Sequence, residues 1–258
     1  MAVGDAKRLG YGGSGVIAGQ QVLITSGSFA VAETPSYIEP WSIPPSATSR
    51  SRVLHADGTE VYTGEISLDV TDDFLTVLTT STLLGRYYQF NVGINDGEDA
   101  QEMQDCFVTS LSLSGAPGGL ITASVSFISA NAPQTSISVA NAFIRDDEPL
   151  GYWYSGNTDV RDWTFSMNQN ASPMYRNSNT QAPRYIKVGM VDYSLAVTTF
   201  DAIVAHSTIN IKTSSFSLTG VTTSREYAFA GITDLGNYRH TFETAASAAG
   251  GSGGIIIS

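Results

Sequence analysis

Hydrophobic and polar positions alternate with period two over long stretches of this chain. Ile66, Leu68 and Val70 alternate with Glu65, Ser67 and Asp69, and Ile121, Ala123, Val125 and Phe127 with Thr122, Ser124 and Ser126. Trp163, Phe165 and Met167 alternate with Thr164 and Ser166, and Val191, Tyr193, Leu195 and Val197 with Asp192, Ser194, Ala196 and Thr198. Successive side chains of a strand point to opposite sides, so these runs predict half-buried strands of antiparallel sheets. Their polar sides carry hydroxyls more than charges. That suits a face that is covered or lines a channel, and equally an ordinary exposed sheet.

Turn chemistry adds hairpins. Leu111-Ser112-Leu113-Ser114 runs into Gly115-Ala116-Pro117-Gly118-Gly119 and straight on into a strand from Leu120, a strand–turn–strand pattern. His55-Ala56-Asp57-Gly58-Thr59 predicts a second tight turn, with Asp-Gly supplying positive φ. The paired prolines of Trp41-Ser42-Ile43-Pro44-Pro45-Ser46 predict a loop or extended arm. A loose echo joins Ser110–Gly115 and its following strand to Ser215–Gly220 and Tyr227-Ala228-Phe229-Ala230; each reads as strand, Gly-marked turn and returning strand.

One segment predicts a helix. From Asp72, the positions Phe74, Val77, Leu78 and Leu84 share a side, Thr71 or Asp72 serves as N-cap, acids lie at the positive end and Gly85 stops the run. Thr79, Thr80 and Thr82 lower its propensity. Residues 1–15, with four glycines from Gly10 to Gly15, read as a flexible arm, and 246–258 as a flexible tail. The tail ends in Ile255-Ile256-Ile257-Ser258, either a docking tip for a neighbour or a frayed end. Residues 16–245 between them form the β domain.

Composition sharpens this picture. The 258 residues are 42% hydrophobic, enough for a sizeable core, yet only 14% are charged, against about a quarter in ordinary soluble domains. A hydroxyl-rich, weakly charged surface suits a protein that hides much of itself against its own copies. The net charge of −11 and the scattered basic residues, with Lys7-Arg8 the only adjacent pair, argue against gripping nucleic acid. A negative chain can still line a channel through which DNA slides. No stretch reaches the roughly 18 apolar residues of a membrane span, and no apolar run of a signal peptide follows Lys7-Arg8. Assembly in the cytoplasm without export is expected.

Chemistry is thinly supplied. Cys106 is the only cysteine, so neither an intrachain disulfide nor a cysteine zinc site is available, and a small buried hydrophobe is the expected role. His55, His206 and His240 are far apart and show no zinc spacing. Asn95-Asp96-Gly97-Glu98-Asp99, continuing to Glu102 and Asp105, is the densest acidic cluster but does not fit a calcium loop. Asp146-Asp147-Glu148 reads as a surface linker. Gly250-Gly251-Ser252-Gly253-Gly254 lies in the tail with no strand before it and no helix after it, so it is not a nucleophile elbow. Gly10-Tyr11-Gly12-Gly13-Ser14-Gly15 lacks the ending of a phosphate loop. No cofactor, metal site or enzymatic activity is expected. Tyr152, Trp153, Tyr154 and Trp163 are either core and interface packing or a sugar-binding platform.

Residues 105–128, from Asp105-Cys106-Phe107-Val108 through Gly115-Ala116-Pro117-Gly118-Gly119 to Val125-Ser126-Phe127-Ile128, resemble the major tail tube proteins of long-tailed bacteriophages. In that family a "V-x-S-L-x-L-x" strand meets a Gly-rich turn and a "G-L-I-T-x-S-V-x-F" strand. Trp163–Asn170, followed by Pro183-Arg184-Tyr185-Ile186-Lys187-Val188-Gly189 and the strand from Val191, resembles the family's strand, Asn-bearing turn, "P-x-x-I-x-x-G" and return strand. With the helix, these stretches cover about half of the chain; nothing before residue 50 or after 235 matches.

The resemblance implies a mainly β fold, a sandwich or barrel with a flanking short α-helix. Subunits would form stacked rings, hexameric in the family, around a hollow conduit for DNA. The partners implied are further copies of itself, the tape measure protein, tail terminator and tip proteins, and DNA only in transit. The implied location is the virion tail. Asp69, Asp192, Asp96, Glu98 and Asp99 are then the lumen-facing candidates, and Tyr11, Trp41, Ile255, Ile256 and Ile257 the candidate self-assembly arms. The alternative is a tail-tip or fibre-like β-sandwich that binds carbohydrate or a receptor. A β-rich hydrolase is a third and weaker reading.

Overall fold

The computed structural model describes residues 14–38, 54–80, 83–84, 88–95, 100–135, 150, 160–175, 181–200, 208–211, 214–219, 221–228, 237–244 and 254–257. The strands are β1 (Ser14–Ile17), β2 (Gln20–Ile38), β3 (Leu54–Asp69), β4 (Phe90–Asn95), β5 (Ala100–Gly115), β6 (Thr122–Ser129) and β7 (Gln134–Thr135). They continue with β8 (Val160–Met174), β9 (Tyr185–Thr199), β10 (Thr208–Ile211), β11 (Ser214–Thr219), β12 (Val221–Ala228), β13 (Asn237–Thr244) and β14 (Gly254–Ile257). The single helix among the described residues is α1 (Asp72–Thr80), between β3 and β4. The fold is mainly β with a flanking short helix. No helix among the described residues is long and apolar enough to cross a membrane.

All strand pairs are antiparallel, and the large sheet closes on itself. The path β5–β4–β1–β2–β3–β6 returns to β5 through the β5–β6 pairing, making a six-stranded barrel. β5 is long enough to hold β4 along its first half and β8 along its second. From β8 the sheet runs on as an open wing, β8–β9–β13–β12. A separate three-stranded sheet, β10–β11–β14, packs against β9 and β13. One hydrophobic core joins these parts, from Ile17 and Val22 in the barrel to Trp163, Leu195 and Phe242 in the wing and Phe216 and Leu218 in the small sheet.

The sequence alternation explains the layering. β3 buries Tyr62, Ile66 and Leu68, β6 buries Ala123, Val125 and Phe127, and β8 buries Trp163, Phe165 and Met167. β5 departs from strict alternation, burying Met103, Cys106 and Val108 and then Leu111 and Leu113. Two one-residue slips are responsible. The first is at Asp105, which has φ of 51°; its N–H donates to Asn91 Oδ1 at 3.1 Å and its Oδ2 accepts from Asn131 Nδ2 at 2.9 Å. The second is the register shift between Val108 and Ser110.

α1 starts as the sequence predicts. The Thr71 hydroxyl accepts from the Phe74 N–H at 3.3 Å, an N-cap buried from solvent, and Asp72 and Asp73 lie in the first turn. Phe74, Leu75, Val77 and Leu78 enter the core, and the helix packs against β2. The β5–β6 hairpin also forms as expected, with Gly118 at φ 76° and the Gly119 N–H bonded to Ala116 O at 3.0 Å.

Three expected turns are corrected. His55–Thr59 belongs to β3; Asp57 and Gly58 fall in the register shift opposite Pro35, so the Asp-Gly pair occupies a bulge rather than a turn. Asn168 and Asn170 are inside β8, whose ladder with β9 continues to Met174↔Tyr185. The echo at 215–230 is no hairpin: β11 and β12 belong to different sheets. Only Gly220 separates them, too few residues to reverse a strand. β1 begins at Ser14, within the expected N-terminal arm, and Gly254–Ile257 of the expected tail pairs with β11. Pro44 and Pro45 lie outside the described residues.

Close packing at Gly64 gives a direct test. A Cβ there would come 2.4 Å from Phe127 Cε2, and the Phe127 ring is fully buried. Gly64→Ala is expected to lower stability by about 1–3 kcal/mol through overpacking. The urea unfolding midpoint should drop with an unchanged slope.

Candidate functional site: an acidic, hydroxyl-lined sheet face

Residues directly opposite each other in a ladder share a sheet face, so the registers define the outer surface strand by strand. In one row Thr222, Glu243, Ser194 and Ser166 lead on to Ser112, Ser124, Ser67 and Ser26. The row crosses β12, β13, β9, β8, β5, β6, β3 and β2 in that order. With strands about 4.8 Å apart it spans roughly 34 Å. A parallel row runs Ser224, Thr241, Ala196, Thr164, Ser114, Thr122 and Asp69. A third runs Asp192, Asn168, Ser110, Ser126, Glu65 and Ser28. A short fourth, Glu226, Arg239, Thr198 and Asp162, closes the wing end.

Small polar side chains make this face, and its charge is one-sided. Its carboxylates are Glu65, Asp69, Asp162, Asp192, Glu226 and Glu243, and Arg239 is the one cation in the four rows. Glu65, Asp192 and Glu243 are exposed, while Asp69 and Asp162 are half-buried. Hydroxyls bond within and between the rows: Ser114 and Thr122 hydrogen-bond at 3.0 Å along one row, and Ser124 Oγ donates to Glu65 Oε1 of another row at 3.3 Å. Where β9 meets β13, Asn168, Asp192, Ser194, Thr222 and Glu243 line a shallow open cleft of about 380 Å³. The face is thus a broad surface, without an enclosed chamber at that point.

The opposite side of the wing is held by buried polar contacts. Thr244 Oγ1 accepts the Tyr193 N–H at 3.0 Å and donates to the Tyr193 carbonyl at 3.3 Å. The Tyr193 hydroxyl donates to Leu84 O, tying β9 to the turn after α1, and burial pushes its pKa up to about 12. His240 is buried with Nε2 3.4 Å from Thr199 Oγ1. Burial, and then the charge of the cross-strand Arg225, hold its pKa below the ordinary 6.5. Cys106 is buried, and burial followed by Asp105 and Glu102 pushes its thiol far above the usual range, so it stays protonated.

Asp69 and Asp192, singled out separately by alternation, are brought onto one face of one sheet. Asp96, Glu98 and Asp99 fall in the connection between β4 and β5, outside the described residues, as do Tyr11, Trp41 and Tyr152–Tyr154. Trp163 is fully buried against Gly115 and belongs to the core, not to a sugar platform. The backbone of Ile255–Ile257 forms β14 on β11. Sequence reasoning missed Glu65, Glu243, Asp162 and Glu226, because only cross-strand register brings them onto the same face. Among the described residues no group of three or more His, Cys, Asp or Glu side chains is placed to hold a metal ion. Comparison with protein-family models and with curated proteins finds no match to this chain.

The lowered pKa of His240 fixes the sign of a pH effect. Its neutral form is favoured in the folded chain, so that stabilisation is present above 6.5 and is lost as pH falls from 6.5 through the lower folded-state value. The urea midpoint of the wild type should therefore decline in that window, and in His240→Gln this component of the slope should disappear.

Proposed function

We propose that this chain is a structural subunit that assembles with its own copies into stacked rings. The rings form the hollow tail tube of a long-tailed phage, and the acidic, hydroxyl-lined face borders the conduit. The observation that carries this reading is the composition of that face: six carboxylates, one guanidinium and rows of Ser and Thr across eight strands. Duplex DNA carries a negative charge about every 1.7 Å, and proteins that hold it neutralise phosphates with Lys and Arg. A wall bearing carboxylates repels phosphates, and its hydroxyls stay hydrated. DNA can pass such a wall without adhering.

Self-assembly is supported by the strand edges. β12 ends the large sheet, and seven of its eight residues are exposed. Past Leu23, β2 pairs only with β3 among the described residues. Such edges are ready templates for another chain. On this reading the partners are further copies of the chain, the tape measure protein, and terminator and tip proteins. DNA is present only in transit, and the location is the virion after assembly in the host cytoplasm.

Negative-stain micrographs of the purified protein should show rings or hollow rods. A monomer at every concentration, or a compact glycan-binding trimer, would sink the proposal. The face has its own test. Glu65→Lys/Asp192→Lys, changed at two exposed positions, should assemble as the wild type does but retain linear duplex DNA at low salt. Wild-type tubes should release it.

A further inference from the structure

Assembly poses an electrostatic problem: a chain of net charge −11 repels its own copies, so contacts between copies are favoured where local charges are opposite. Besides the carboxylates of the long hydroxyl rows, the structure holds an acidic pair and an arginine–aromatic cluster apart from those rows.

The negative site is on the β2–β3 ribbon. Glu33 and Glu60 are directly opposite each other in the ladder, a like-charge pairing that costs stability. Their neighbour on the same side of β2, Val31, is 52% exposed. Glu33 is exposed and Glu60 half-buried. The Glu60 strand is held in place: its N–H donates to Gln181 O at 3.0 Å, and its carbonyl accepts from the Tyr175 hydroxyl at 2.7 Å. Glu60 is thus fixed, with its carboxylate accepting the Tyr62 hydroxyl, beside an exposed apolar side chain.

The cationic site is at the end of the wing, where Val160, Thr199, Tyr238 and Tyr227 lie in one register row next to the row that carries Glu226, Arg239 and Asp162. The exposed Arg161 places its guanidinium 5.8 Å from the centre of the Phe200 ring, which is 48% exposed. The exposed Arg225 lies 5.9 Å over Tyr238, and Tyr227, 55% exposed, packs its ring 4.8 Å from that of Tyr238. Exposed Tyr and Arg are the residue types that dominate interface energetics.

We propose that the Val31/Glu33/Glu60 surface of one copy docks on the Arg161/Phe200/Tyr227/Arg225 end of the next. The two glutamates face the two arginines, and Val31 lies on the aromatic rings. The docking rests on the self-assembly proposed above but not on the identity of what the assembly carries. Each copy has one surface of each kind, so the contact is head-to-tail and propagates from copy to copy.

Charge reversal tests it. Glu33→Lys/Glu60→Lys carries two positive surfaces, and Arg161→Glu/Arg225→Glu two negative ones. In sedimentation velocity each variant alone should need at least about tenfold more protein to assemble than the wild type. An equimolar mixture should recover wild-type assembly with the two variants alternating. Circular dichroism and thermal melts check folding, and the single variants Glu33→Lys and Arg161→Glu, both at exposed positions, repeat the test if a double variant is unfolded. If the folded variants assemble alone as the wild type does, or fail to rescue each other, the docking is overturned while the tube reading stands. A wild type that stays monomeric overturns both.

Discussion

The architecture depends on β5, which pairs with β4, β6 and β8 in turn along its sixteen residues while the parity of its buried positions changes. The slips at Asp105 and at Val108/Ser110 accomplish the change. Before them the strand closes the barrel; after them Leu111 and Leu113 enter the core shared with the wing, and Ser110, Ser112 and Ser114 point outward. Removing one slip would invert every later side chain of the strand. Leu111 and Leu113 would then meet water, and three serines would be buried. Each hydroxyl left without a partner costs about 1–3 kcal/mol. The Asn91 and Asn131 contacts to Asp105, and the Ser129 hydroxyl donated to Gln104 O, lock the first slip in place.

Much of this was legible beforehand. The alternating runs of β3, β6, β8 and β9 needed only local pattern, and so did the start of α1, because Thr71 and the acids after it are a local signal; the helix ends at Thr80, before the expected stop at Gly85. Long-range pairing was not legible. Asp57-Gly58 is as good a bulge as a turn, and only the long β2 opposite it decides which. Asn168 and Asn170 look like turn residues, but β9 pairs alongside them and carries the strand on. The two Ser-rich segments at 110 and 215 look alike, yet β11 buries Phe216 and Leu218 in a different sheet from β12.

The candidate site shows the same division. Alternation put Asp69 and Asp192 on polar sides, but it could not say that the two sides are one surface. That follows from four successive registers linking β3, β6, β5, β8 and β9. The Ser-x-Ser spacing in β5 and β6 was the available signal, since serines in step on neighbouring strands stack into rows. Glu243 and Glu226 join the face only through the registers that tie β13 to β9 and β12 to β13, which no local pattern shows.

The proposed self-association is compatible with the acidity because charge acts locally. At physiological ionic strength exposed charges are largely screened beyond roughly 8 Å, while the polar face spans about 34 Å at ordinary strand spacing. The carboxylate of Asp69, on β3, therefore contributes little to a contact made at the far end of the wing, where the face carboxylates are Asp162 and Glu226. A face can stay negative toward whatever passes over it while a separate edge carries Arg161 and Arg225. On the reading proposed above, spreading the same cations across the face would neutralise its carboxylates and leave the copies without a matched pair of charges, whereas keeping them at the edge would give a non-adhesive surface and a local place for copies to meet.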